Sequence, residues 1–281
     1  MRGSVGEWTF ARNKSKTIAK QKVEKKQNPS RSYAQMAHRV RMANIVNMWK
    51  AFFGKDKPSF ESKPGSWSDY NAFMNANLQG DAVYLTKTEA NQGGCVAAGY
   101  CITSGSLPAI SVTEGTGGFP VTDISLGNLA IDGDTTLAEF SQAVVDNNDS
   151  FQHLDQISCF IVKQSQNTAT GVPYVAVKAL EVTLNLNATD TLLADVVDAD
   201  GFASVNGKLG RNSTINGAIT WVHSRKSARG VQVSSQSLFV SNSLLSQYQS
   251  ATKRSEAILS YGGSTTADFL APNIDEAVAA D

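Results

Sequence analysis

Three histidines and three cysteines are the side chains of this 281-residue chain best suited to chemistry near neutral pH. His38, His153 and His223 share no metal-binding spacing, and no CxxC accompanies them. Cys159 with His153 or His223 would be the route to thiolate chemistry, the imidazole taking the thiol proton. No local signature surrounds either pairing. The odd cysteine count leaves at least one thiol free in a monomer. Cys95, Cys101 and Cys159 therefore read as buried thiols in a reducing compartment, rather than as a Cys95–Cys101 bridge plus one.

Acidic residues are the next candidates. Asp195, Asp198 and Asp200 in ADVVDADG, with Asp190 upstream, have the density of a calcium loop. The EF-hand pattern is only half present, because position 202 is Phe and no Glu follows at the required distance, so a solvated turn is expected. Asp132 and Asp134 in IDGDTT precede a helix, and Asp134 reads as charge at its N-terminus. The glycine-rich stretches GSVGEW, EGTGGFP and NGKLGRN lack the Lys-Ser/Thr ending and strand-to-helix context of a phosphate loop, and read as turns. Nothing resembles G-x-S-x-G or a Ser-His-Asp set. The expectation is a protein that is not an enzyme, with no catalytic residues, cofactor, metal or small-molecule substrate.

Charge carries the stronger signal. Residues 1–50 hold 12 Lys/Arg against 2 acids, while residues 51–281 hold 13 against 23. The net charge of zero is a basic arm cancelled by an acidic body. Such a chain suits an acidic partner at one end and a basic one at the other, and a second copy of itself supplies both. Nucleic acid on the arm is the competing reading. The arm residues expected to meet a neighbouring subunit or another acidic partner are Trp8, Phe10, Arg12, Lys14, Lys16, Lys20, Lys22, Lys25, Lys26, Arg31, Arg39 and Arg41. Trp8 and Phe10 sit at one end of this set instead of interleaving with it, which disfavours stacking on bases. No run of about 18 apolar residues predicts a membrane span, and the N-terminus lacks the apolar core of a secretory signal.

These residues need elements to position them. Residues 5–27 alternate weakly and predict an extended, hairpin-like arm too poor in apolar residues to stand alone. Asn28-Pro29 breaks the chain, and Ser30 or Ser32 caps a helix to about Phe53. Its predicted inward face is Tyr33, Met36, Ala37, Val40, Ala43, Val46, Trp49 and Phe53, and Gly54 ends it. A second helix over 66–78 completes a hairpin with an aromatic seam at Trp49, Trp67 and Tyr70. Beyond residue 82, AVYLTK, GCVAAGYCIT, PAISV, DQISCFIVK, YVAVKALEVTLNL, GAITWVHS and VQVSSQSLFVS predict strands of an antiparallel sandwich or barrel. Thr136 and Glu139 form a capping box for one internal helix, and a last helix spans 243–261 with Gly262-Gly263 as its stop. The expected fold class is α+β: basic arm plus aromatic helical hairpin over 1–80, β-rich body over 81–263, acidic tail over 264–281.

The stretch KQNPSRSYAQMAHRVR resembles a signature of uncharacterised proteins encoded by Bacteroidetes and the crAss-like phages that infect them. That signature is a G-x-V-G strand, then Lys-x-x-Asn-Pro-Arg-Ser/Thr, then Gln and Arg on a helix. Gly3, Val5 and Gly6 match its first part; Asn28, Pro29, Arg31, Ser32, Gln35 and Arg39 match its second, with Ser30 inserted after Pro29. SDYNAFMNANL is similar to the aromatic helix that follows. The resemblance covers about 80 residues. It implies a virion component assembled in the host cytoplasm, without implying an activity. Joined to the charge pattern, it predicts a tailed-phage structural subunit forming a ring or layer, at the head–tail connector or in the tail barrel. Its partners would be itself and other virion proteins, through the arm of one copy on the acidic body of the next. The alternatives are an arm that binds nucleic acid and an accessory capsid protein.

Overall fold

The computed structural model describes residues 3–5, 8–13, 16–21, 33–52, 58–198, 200–228 and 230–262. The chain opens with β1 (Gly3–Val5), β2 (Trp8–Asn13) and β3 (Lys16–Gln21), an antiparallel sheet whose strands, among the described residues, pair only with one another. Helix α1 (Tyr33–Ala51) follows, then the two-residue β4 (Ser59–Phe60), α2 (Asp69–Asn77) and the short α3 (Lys87–Asn91). Next come β5 (Cys101–Ser104), β6 (Val112–Glu114), β7 (Pro120–Ser125) and α4 (Leu137–Asn147). The long hairpin β8 (Gln156–Gln166) and β9 (Pro173–Thr183) leads to α5 (Leu193–Val196), β10 (Ala203–Val205) and β11 (Lys208–Gly210). The described chain closes with β12 (Gly217–Ser227), β13 (Gly230–Val233), β14 (Gln236–Ser237), β15 (Phe239–Ser241), α6 (Leu245–Tyr248) and α7 (Ala251–Ser260). The α+β class holds. Among the described strands the pairing is antiparallel, except for the brief parallel contact of β4 with β5; an isolated parallel bridge also joins Leu107 to Ser234.

Strands β8, β9 and β12 form the middle layer, in the order β13-β12-β8-β9 with β15 also on β12. Along β8, Phe160 and Val162 enter one hydrophobic cluster, while Ile157, Cys159 and Ile161 enter another. Both faces of the strand are covered, which is why its sequence is a continuous apolar run without polar alternation. The first cluster joins the sheet to Ile45 and Met48 of α1, to Phe52 just after it and to Phe73 of α2. The second joins it to Phe140 and Val144 of α4, to Leu209 of β11 and to Ile124 of β7. The aromatic seam lies inside the helical layer: Trp49 meets Tyr70 edge-on at 5.6 Å and Phe73 at 5.4 Å.

Several expectations need correction. AVYLTK is not a strand; it runs extended into α3, which Thr86 and Glu89 start with a capping box. GCVAAGYC is buried and extended but enters no ladder before Cys101. Side-chain amides satisfy several of its peptide groups, beside backbone bonds such as that from the Cys95 amide to the Pro173 carbonyl. Asn44 Nδ2 donates to the carbonyl of Val96 at 2.8 Å, and Asn44 Oδ1 accepts from the Val96 amide at 2.8 Å. Gln164 does the same for Cys95 and Ala97, and Asn77 for Cys101. Each amide presents one donor and one acceptor, as a neighbouring strand would. Accordingly the buried face of α1 is Met36, Val40, Asn44, Ile45, Asn47 and Met48, continued by Phe52 just after the helix and shifted from the predicted one, whose Phe53 and the stop at Gly54 lie outside the described residues. NGKLGRN is not only a turn: Asn206 and Gly207, at φ 52° and 73°, make a two-residue hairpin loop between β10 and β11. The last helix is two, since Ser250 caps a new start at α7.

Candidate functional site

The basic arm is the first site to place. Trp8, Phe10 and Arg12 lie on β2, Lys16 and Lys20 on β3, and Arg39 and Arg41 on α1. Lys14, Lys22, Lys25, Lys26 and Arg31 fall outside the described residues. Trp8 is opposite Gln21 and Phe10 opposite Ala19, whereas Lys20 is opposite Thr9. Directly paired residues share a sheet face, so Trp8 and Phe10 occupy one face and the Lys20 position the other, with Ile18. Trp8 is 50% exposed and Ile18 37%, and Lys20 is exposed; only Phe10 is half-buried. Among the described residues the arm sheet therefore has apolar side chains on both faces that the chain itself leaves uncovered.

The cysteines are free and buried or half-buried, as read from the sequence, whereas His223 gains a buried carboxylate partner. His223 is buried on β12, stacked on Phe151 at 4.1 Å, with Nε2 2.8 Å from Asp155 Oδ2. Arg225, two residues on and on the same face of β12, gives Nε and Nη2 to Asp155 at 2.8 and 2.6 Å. Burial alone would raise the Asp155 carboxyl, but the hydrogen bonds from Arg225 and His223 outweigh it and hold its pKa below the usual value. Burial lowers the pKa of His223, and Asp155 offsets only part of that. The pair is thus carboxylate and neutral imidazole, with Nε2–H donating. His223 Nδ1 is left buried with no partner. His153 stands apart from this pair, and its Nδ1 accepts from the Leu186 amide at 3.3 Å. Cys159 is fully buried, and desolvation raises its thiol pKa far above normal. It is a core side chain, pairing in register with Trp221. Cys95 is also buried, and Cys101 half-buried; all three are free.

The aspartates after α5 also gain partners. Asp200 Oδ1 accepts from Arg211 Nη2 at 2.6 Å, and Asp198 Oδ2 from Lys178 Nζ at 2.6 Å. Lys163 stands 3.7 Å from Asp200. These cations hold the loop that lays Gly201 over Cys159 and receives Trp221 Nε1–H on its carbonyl at 2.9 Å. The expected solvated turn is therefore an ion-paired buttress at Asp198 and Asp200, while Asp190 and Asp195 are exposed. No group of three potential ligands is positioned for a metal among the described residues. Nor is any described helix long and apolar enough to cross a membrane.

Asp155 and Arg225 were not singled out from the sequence. The available signal was period 2 in ITWVHSR, which puts His223 and Arg225 on one face and calls for an acid between them. That the acid is Asp155, 68 residues from His223, is a tertiary fact. No family model matches the chain, and no curated protein or solved structure shows significant similarity to it.

Proposed function

We propose that this chain is a structural subunit of a tailed-phage virion, assembling into a ring or layer at the head–tail connector or tail barrel. The basic arm of one copy lies on the acidic body of the next. The observation that carries the assembly reading is the arm sheet, in which β1 and β3 both pair with β2 while Trp8 and Ile18 stay uncovered. A three-stranded sheet with exposed apolar residues on both faces gains its stability from something it packs against. The acceptor surface has a matching sign. Residues 88–162 contain nine acids and no Lys or Arg, and seven of the nine are exposed. Glu139 and Asp146 project from one side of α4, since seven residues make two helical turns. The backbone bridge from Thr136 to Leu192 adds Asp190 and Asp195 beside Asp132 and Asp134. The phage context rests on the resemblance around Asn28–Arg39.

Nucleic acid on the arm is the second reading, for which the register puts Lys20 on the face opposite Trp8 but the Arg12 position on the face of Trp8 and Phe10. Light scattering behind size exclusion tests the proposal, on nuclease-treated full-length protein and on protein lacking residues 1–27. A defined oligomer that becomes a folded monomer on truncation is the expected result. Monomers in both cases, with a shift of the full-length protein only on adding DNA, would overturn it.

A further inference from the structure

Beside the Asp155 cluster opens a cleft of about 390 Å³, between the turn entering β8 and the β12–β13 hairpin. Its floor is a polar row: Thr183, Gln156 and Ser224 stand in register across β9, β8 and β12, and so share one face of the sheet. Farther along β8 that face carries Phe160 and Val162; here it carries three side chains that each donate and accept hydrogen bonds. Lys226 lies on the same face of β12, two residues beyond Ser224, exposed and without an ion pair among the described residues. Aliphatic surface completes the rim, with Val231 opposite Lys226 at 56% exposure and Leu154 on the turn at 61%. Leu154 is held at φ 69°, a left-handed conformation that costs a side chain with a Cβ, and its amide donates to the Leu184 carbonyl at 2.8 Å. The turn is further fixed by Asp155, which accepts from the Gln152 amide at 2.9 Å besides Arg225 and His223. Asp155 is the one acid lining the cleft, and Glu181, two residues before Thr183, accepts from Ser158 Oγ at 3.3 Å. The cleft is thus preformed, polar at its floor, aliphatic at its rim and positive at Lys226.

We infer that this cleft binds a hexuronate, a sugar ring bearing a carboxylate. The ring hydroxyls donate and accept at once, as do the groups of the Thr183–Gln156–Ser224 row that would meet them. The carboxylate pairs with Lys226, and the C–H face of the ring lies on Leu154 and Val231. An apolar ligand would leave the polar row unpaired, and a bare anion would leave the aliphatic rim in water. A strained, exposed leucine beside unpaired polar groups is the kind of feature that a binding site retains. The site uses neither the arm nor the acidic face of α4, so it stands or falls independently of the assembly reading.

The test is calorimetric titration of the full-length protein with D-glucuronate, beside D-glucose as the sugar without the charge and acetate as the charge without the sugar. D-Glucuronate is expected to bind with a Kd of about 1 mM, an affinity within reach of so small a ligand, and the two controls about tenfold more weakly. Lys226→Glu exchanges attraction for repulsion at an exposed position and lowers the affinity about tenfold. Thr183→Val, also at an exposed position, removes one hydroxyl of the floor while keeping the side-chain shape, and lowers the affinity about fivefold without loss of thermal stability. No binding of D-glucuronate, or binding that neither substitution weakens, would overturn the inference. So would acetate or D-glucose binding as tightly as D-glucuronate, which would mark an adventitious ion or additive only.

Discussion

At the scale of single residues, buried amides decide more than the titratable groups do. Asn44 is wholly buried and satisfies both peptide groups of Val96 while also donating to Tyr100 Oη at 2.8 Å. Asn44→Leu keeps the volume and strands three buried polar partners. It should cost about 3 kcal/mol and lower Tm by roughly 6–12 °C in thermal denaturation. An unchanged Tm would mean that segment 94–101 does not depend on the amide. The Asp155–His223 pair sets a pH dependence with a defined sign. Both groups have folded pKa values below their unfolded ones, so the unfolded chain takes up protons that the folded chain excludes. Stability is complete above His223's ordinary value of about 6.5, declines as pH falls below it, and declines again below about 4 as Asp155 is challenged. Denaturant melts at pH 7.5 and 5.5 should show that loss, and His223→Gln should shrink the difference between them. An equal difference in the variant would assign the proton uptake to another group.

At the scale of elements, the central strands leave no room for change. Gly217 starts β12 at φ 145° between β8 and β15, and a Cβ there would collide with the Val162 carbonyl oxygen. Gly217→Ala must push β12 away from β8, at about 2–3 kcal/mol by chemical denaturation. A neutral substitution would show that the strands shift freely. The arm sheet is the opposite case. Its pairs are regular, and its described side chains are exposed apart from half-buried Phe10 and enter none of the three hydrophobic clusters. Substitutions there should leave the stability of the body unchanged.

At the scale of the whole molecule, charge and exposed apolar surface act together. A contact between the arm and α4 of a neighbour is partly electrostatic, and screening grows as the Debye length falls from about 10 Å at 0.1 M salt to about 3 Å at 1 M. The oligomer should shift toward monomer as salt rises. Lys20→Glu, at an exposed position of β3, should produce the same shift at low salt, read by sedimentation velocity. An oligomer indifferent to both would place the interface elsewhere.

Features written in short windows of sequence were legible. The Thr136/Glu139 capping box starts α4, the apolar runs of β8 and β12 are strands, and the weak alternation expected to form a hairpin-like arm over residues 5–27 corresponds, among the described residues, to the hairpin of β2 and β3 with β1 added beside β2. Residues 94–101 look like another strand because they are apolar and β-branched in part, yet their hydrogen bonds run to Asn44 and Gln164, 52 and 67 residues away. The shift of the α1 face has the same origin, since an asparagine reads as outward until its buried partner is known. Asp155, Arg225 and Leu154 likewise gained meaning only once the chain had folded. Sequence alone determined the segregation of charge, the α+β class and the strands of the middle layer, because periodicity, capping and net charge are local or additive. Tertiary structure decided which polar side chains are buried and what satisfies them. A buried donor needs an acceptor wherever the chain can bring one, and no local pattern encodes that distance.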